Sequence, residues 1–121
     1  MHLLCADDEE DIRLILELAL NLDPDFEVDI VASGIELLER AKTSSYDAFI
    51  VDAMMPGLDG YETCRRLKAD PQTATIPVLF LTAKTQGEDR ERALRAGATA
   101  FLTKPFDPLT LANEVRTALG Q

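Results

Sequence analysis

Residues 48–60 read AFIVDAMMPGLDG, and the fold turns on them. Ala48, Phe49, Ile50 and Val51 form an unbroken apolar run that stops at Asp52. A run without alternation reads as a strand buried on both faces, as in the middle of a parallel sheet. A carboxylate at the C-terminal end of such a strand sits at the rim where open α/β sheets bind ligands. Pro56 and Gly57 mark a loop, and Asp59 to Glu62 opens a helix. Taken alone, Asp52 reads first as the solvated end of a strand. Three other strand ends also finish on reactive residues.

Upstream, Met1 to Ala6 is a short apolar run that ends at Asp7-Asp8. A helix follows, with Ile12, Ile15, Ala19 and Leu22 at three- and four-residue steps. Leu14 and Leu18 widen that stripe beyond one core face, and Asp23-Pro24 stops it. Glu27 to Ala32 alternates before settling into an apolar end, which suits a strand near an edge. Ser33 to Glu36 forms a capping box, and the helix it opens runs to about Lys42.

Downstream, the third helix ends at Asp70-Pro71. Val78 to Leu81 is a second fully apolar run, ending on Thr82. Thr85 to Glu88 caps a fourth helix, which Gly97 closes. Ala100 to Thr103 is a last strand, ending on Lys104-Pro105. Asp107 and Pro108 supply an N-cap and first-turn proline for a final helix, whose apolar face is Leu109, Ala112, Val115 and Leu119.

Five rounds of strand then helix imply an α/β fold: a five-stranded parallel sheet, doubly wound, with helices on both faces. All strand ends then share one rim, where Asp7-Asp8, Asp52, Thr82 and Lys104 converge. Alternation alone leaves the strand order open.

The 121 residues suit a single domain spanning 1–121. No charged-then-apolar leader and no run of membrane-spanning length is present, so neither secretion nor insertion is indicated. Cys5 and Cys64 lack metal-ligand spacing and read as buried reduced thiols, consistent with a cytoplasmic protein. Lone His2 likewise reads as structural. The net charge of -10 argues against direct nucleic-acid binding by this domain. It suits a divalent cation or a basic partner surface.

Three carboxylates at one point repel and need a cation or a proton. Oxygen ligands suit a hard ion, Mg²⁺ first, because it keeps several waters and takes few protein ligands. Lys104 adds a fixed positive charge and Thr82 a hydroxyl. Such a shell fits the equatorial oxygens of a phosphoryl group, and a carboxylate can itself accept that group.

In these segments the chain resembles the receiver domain of bacterial two-component response regulators. The resemblance rests on Asp7-Asp8, on 52–60, on Thr82-Ala83, and on Phe101 with Lys104-Pro105, in that order and spacing. It implies a flavodoxin-like strand order 2-1-3-4-5, an arrangement general to one class of doubly wound sheets. It implies a signalling phosphoacceptor rather than an enzyme: Asp52 takes phosphoryl from a histidine kinase or histidine phosphotransfer protein. Asp7, Asp8, Asp52 and the Met54 backbone carbonyl would bind Mg²⁺, and Thr82 and Lys104 would contact the phosphoryl group. Phe101 takes the place of the switch aromatic, and Lys104-Pro105 is expected to be cis. A haloacid-dehalogenase-type phosphatase is the rival, but its second aspartate would fall at Met54. A flavin-binding module would need a Ser/Thr/Gly-rich phosphate loop after the first strand, which this chain lacks, and no organic cofactor is expected. The output partner is not legible.

Overall fold

The structure is a computed structural model that describes residues 1–83 and 88–121. The cap expected at Thr85 to Glu88 lies outside the described residues, apart from the backbone of Glu88. Strands β1 (His2–Ala6), β2 (Glu27–Val31), β3 (Ala48–Asp52), β4 (Val78–Thr82) and β5 (Ala100–Thr103) alternate with five helices. These are α1 (Glu10–Leu20), α2 (Gly34–Thr43), α3 (Gly60–Ala69), α4 (Glu88–Ala96) and α5 (Leu111–Ala118). All strand pairs are parallel, in the order β2-β1-β3-β4-β5.

Side-chain alternation along the central strands feeds two cores. Leu4, Phe49, Val51, Val78 and Phe80 face α2, α3 and α4, where they meet Leu37, Tyr61, Cys64, Leu67 and Ala93. Leu3, Cys5, Ile50, Leu79 and Leu81 face α1 and α5, against Leu16, Leu20, Leu111 and Val115. Each fully buried Leu or Phe contributes roughly 1.5–3 kcal/mol of burial. This two-sided demand is why β3 is apolar at every position before Asp52, whereas β2, at the edge, is only partly buried.

Several local signals act as read. Ser33 Oγ accepts the Glu36 N–H at 3.2 Å, and Asp59 Oδ1 accepts the Glu62 N–H at 2.9 Å. Gly97 ends α4 at φ 105°, with its own N–H bonded to Leu94 O and that of Ala98 to Ala93 O. Two helix faces differ from the sequence reading. In α1 the buried residues are Leu16, Ala19 and Leu20, while Ile15, and Leu22 just past the helix, are exposed. In α5 the buried residues are Leu111 and Val115, and Leu109 is exposed in the turn before the helix. Asp107 caps that turn, its Oδ1 accepting the Leu109 N–H, so regular helix begins only at Leu111. Both stripes carry surplus leucines, so three- and four-residue spacing alone fits more than one face.

Candidate functional site

The sheet order puts β1, β3 and β4 side by side, and their C-terminal ends form the floor of the site. Asp52 is the last residue of β3; its backbone pairs with Leu81 of β4. Asp7 directly follows β1, and its N–H extends the β1–β2 ladder to Val31 O at 3.2 Å. Asp7 is fully buried and Asp52 4% exposed, whereas Asp8 points to solvent. One carboxylate oxygen from each of Asp7, Asp8 and Asp52 lies within 4.8 Å of the others.

Lys104 reaches back across the end of β4 into this acidic group. Its Nζ sits 2.8 Å from Asp7 Oδ2, 3.3 Å from Asp52 Oδ1 and 4.0 Å from Glu9 Oε1. Its N–H donates to Thr82 O at 2.9 Å, tying the β5 end to the β4 end. Lys104-Pro105 is cis, as expected. Burial alone would lower the Lys104 pKa, but the flanking Asp7 and Asp52 carboxylates outweigh it, and the ammonium is held above its ordinary value. Asp52 moves the other way for a carboxylate: burial, then the charge of Asp7, push it up to about 6. Lys104 and the Met54 N–H, which donates to Asp52 Oδ1 at 3.2 Å, offset only part of this.

The loop after β3 is pressed against the site by Gly60. Its N–H bonds Ala53 O at 3.1 Å, and a Cβ there would lie 2.4 Å from Asp52 O. Only glycine permits that approach. Arg92 of α4 reaches the same loop, 3.5 Å from Asp59 Oδ2, while stacking over the Tyr61 ring at 4.1 Å. Phe101 is half-buried on the α2–α4 side, with the Arg90 guanidinium 4.9 Å from its ring centre. It is therefore neither a plain core residue nor a free surface ring.

Asp7 Oδ2 tests whether the residues suit a cation. It is buried and, among the described residues, accepts no well-directed hydrogen bond; Lys104 lies 2.8 Å away as an ion pair without that alignment. A buried carboxylate oxygen left so, with two further carboxylates within reach, is the donor set of a hard divalent ion. The group fits. Glu9 and Arg13, which the sequence did not single out, also belong to the surroundings. Glu9 donates its N–H to Asp7 Oδ1 at 2.9 Å, and Arg13 Nη1 donates to Asp7 O at 3.0 Å. An acidic residue two positions after Asp7 and an arginine one helical turn later give no pattern that marks them in advance.

The residues read as structural are so. His2 Nε2 lies 3.0 Å from Asp29 Oδ2, beside the Tyr46 ring. Cys5 is buried and its thiol pushed far above the ordinary range; burial raises Cys64 to about 11, with its Sγ–H donated to Ala96 O. Neither is a reactive thiolate.

A parallel sheet with a buried strand-end carboxylate, an acidic group and a lysine at one rim is typical of a phosphoacceptor signalling domain. The chain belongs to the response regulator receiver domain family, whose pattern matches residues 3–116. It is a two-component signalling domain and not an enzyme in its own right. Among curated proteins it is 40% identical to the response regulator PleD of Caulobacter vibrioides over 116 residues, 96% of this chain and 25% of PleD. The chain spans about half the length of other curated relatives, such as Rre1 of Synechocystis. A putative response regulator from Chloroflexus aurantiacus superposes with a TM-score of 0.89 at 38% identity, covering 99% of this chain and 98% of that one. The receiver domain of sensor histidine kinase PA1611 from Pseudomonas aeruginosa, with magnesium coordinated in its active-site cleft, matches at TM-score 0.87 and 31% identity. That match covers 99% of this chain and 98% of the other. Among the described residues no helix is long and apolar enough to cross a membrane.

Proposed function

We propose that Asp52 is the phosphoacceptor of this receiver and works with Mg²⁺, taking phosphoryl from a histidine kinase or histidine phosphotransfer protein in the cytoplasm. The observation that carries this is Asp52 itself: a buried strand-end carboxylate with Lys104 Nζ 3.3 Å away and two further carboxylates beside it. Asp7, Asp8 and Asp52, with the Met54 carbonyl, would hold the ion. Bound there, Mg²⁺ would neutralise charge on the transferring phosphoryl oxygens.

Asp52 must be ionised to attack, and with its carboxyl at about 6 most of it is ionised above neutral pH. An Asp52 oxygen bonds to phosphorus as the phosphorus–nitrogen bond of the donor histidine breaks. The electron pair of that bond returns to the imidazole, leaving an aspartyl-phosphate. Lys104 and Thr82 contact the phosphoryl oxygens, and Phe101 carries the change to the surface. Leu14 and Leu18, 59% and 63% exposed on α1, are not buried against a neighbouring helix and offer an apolar face to the donor. The single domain of 1–121 acts as the phosphorylated unit.

Intact-mass measurement after treatment with acetyl phosphate tests the assignment. Wild type gains one phosphoryl group only with Mg²⁺ present, and Asp52→Asn gains none. Equal labelling of both would move the acceptor elsewhere.

A further inference from the structure

Among the described residues Arg13 bonds main chain beside the acidic group, whereas Lys104 pairs with its carboxylates. Three residues, 7–9, join β1 to α1, and Glu9, the N-cap, makes no side-chain cap bond. The hydrogen bond from Arg13 Nη1 to Asp7 O at 3.0 Å spans this connection. The other polar atoms of Asp7 are engaged separately: its N–H with Val31 O, Oδ1 with the Glu9 N–H, and Oδ2 beside Lys104. The Asp7 carbonyl lies in the peptide plane that leads to Asp8. Holding that oxygen therefore fixes this peptide plane and with it the position of the Asp8 Cα.

We infer that Arg13 is a positioning residue for the cation site, orienting the Asp7–Asp8 peptide so that the exposed Asp8 carboxylate stays with buried Asp7 and Asp52. The inference rests on the reading that these carboxylates bind Mg²⁺. Position and charge act with opposite sign here. Loss of the hydrogen bond weakens cation binding, whereas loss of a nearby positive charge strengthens it. Residues that orient metal ligands typically change affinity by about tenfold or more when replaced.

The experiment is Mg²⁺ titration, by calorimetry, of wild type, Arg13→Met, Arg13→Lys and Asp8→Asn, with amide exchange of the metal-free proteins by NMR. Arg13→Met should bind Mg²⁺ about tenfold more weakly and exchange the Glu9 amide faster. Arg13→Lys, which keeps a donor for the carbonyl, should recover most of the affinity. If Asp8→Asn weakens binding but Arg13→Met binds as wild type or tighter, the positioning role is overturned and the cation site stands. A lower melting temperature for Arg13→Met with unchanged affinity assigns it to helix stability and also overturns the role. Unchanged affinity in Asp8→Asn removes the cation site, and the inference with it.

Discussion

Replacing Asp52 with Asn should stabilise the metal-free fold, and more so as pH rises. Asp52 is 4% exposed, so solvent screens it little. Its carboxyl stands at about 6 in the fold against 3.8 in the open chain, chiefly from burial and then from the Asp7 charge. That gap of about two units, at about 1.4 kcal/mol each, makes ionised Asp52 cost the fold roughly 3 kcal/mol. The folded state holds the proton more tightly than the unfolded chain. The associated stability is therefore fully present below about pH 4 and lost as pH rises through about 6. Wild type carries the whole cost above about pH 7 and roughly half of it near pH 5. Asn does not titrate and carries none. Urea unfolding followed by far-ultraviolet circular dichroism in chelator measures this directly. With a urea slope of about 2 kcal/mol/M, the Asn variant should unfold about 1.5 M later near pH 8, with a smaller lead near pH 5. A lead that does not grow with pH, or an Asn variant less stable near pH 8, would refute the burial and repulsion argument.

Leu16→Ala should cost about 2–5 kcal/mol in urea unfolding, because Leu16 is fully buried. Leu14→Asp, on the exposed face of the same helix, should leave stability and acetyl-phosphate labelling intact but slow transfer from a phosphorylated histidine partner; loss of both functions would show a folding defect. Gly60→Ala should lower stability by roughly 1–3 kcal/mol and Mg²⁺ affinity with it, since the new methyl meets the Asp52 carbonyl and must push the loop away; unchanged calorimetric affinity would refute the contact. Activation with beryllofluoride and Mg²⁺ should produce no ion-paired dimer through α4, β5 and α5. Arg116 is already engaged within its own chain by Asp23 and Asp25, over the Phe26 ring, and a salt-sensitive dimer by light scattering would contradict this.

The alternation of elements, and the rim on which the reactive residues lie, can be read from the residues alone. Unbroken apolar runs at 48–51 and 78–81 demand cover on both faces, and strict strand–helix alternation permits only parallel pairing. Asp52 and Thr82 were legible because each ends such a strand, and Lys104 because it directly follows the last one, β5. Strand order was not fixed by alternation; it came from the family likeness, and the tertiary structure realises it as β2-β1-β3-β4-β5. Tertiary structure alone decided which helix face is buried: Leu16 and Leu111 turn inward, not Ile15 and Leu109, because the rotation of a helix is set by the sheet it packs on. It also decided that Lys104 bridges Asp7 and Asp52, and that Arg13 grips the Asp7 carbonyl. Such contacts depend on where separate elements meet in space, and the periodicity of one element carries no record of its distance to another.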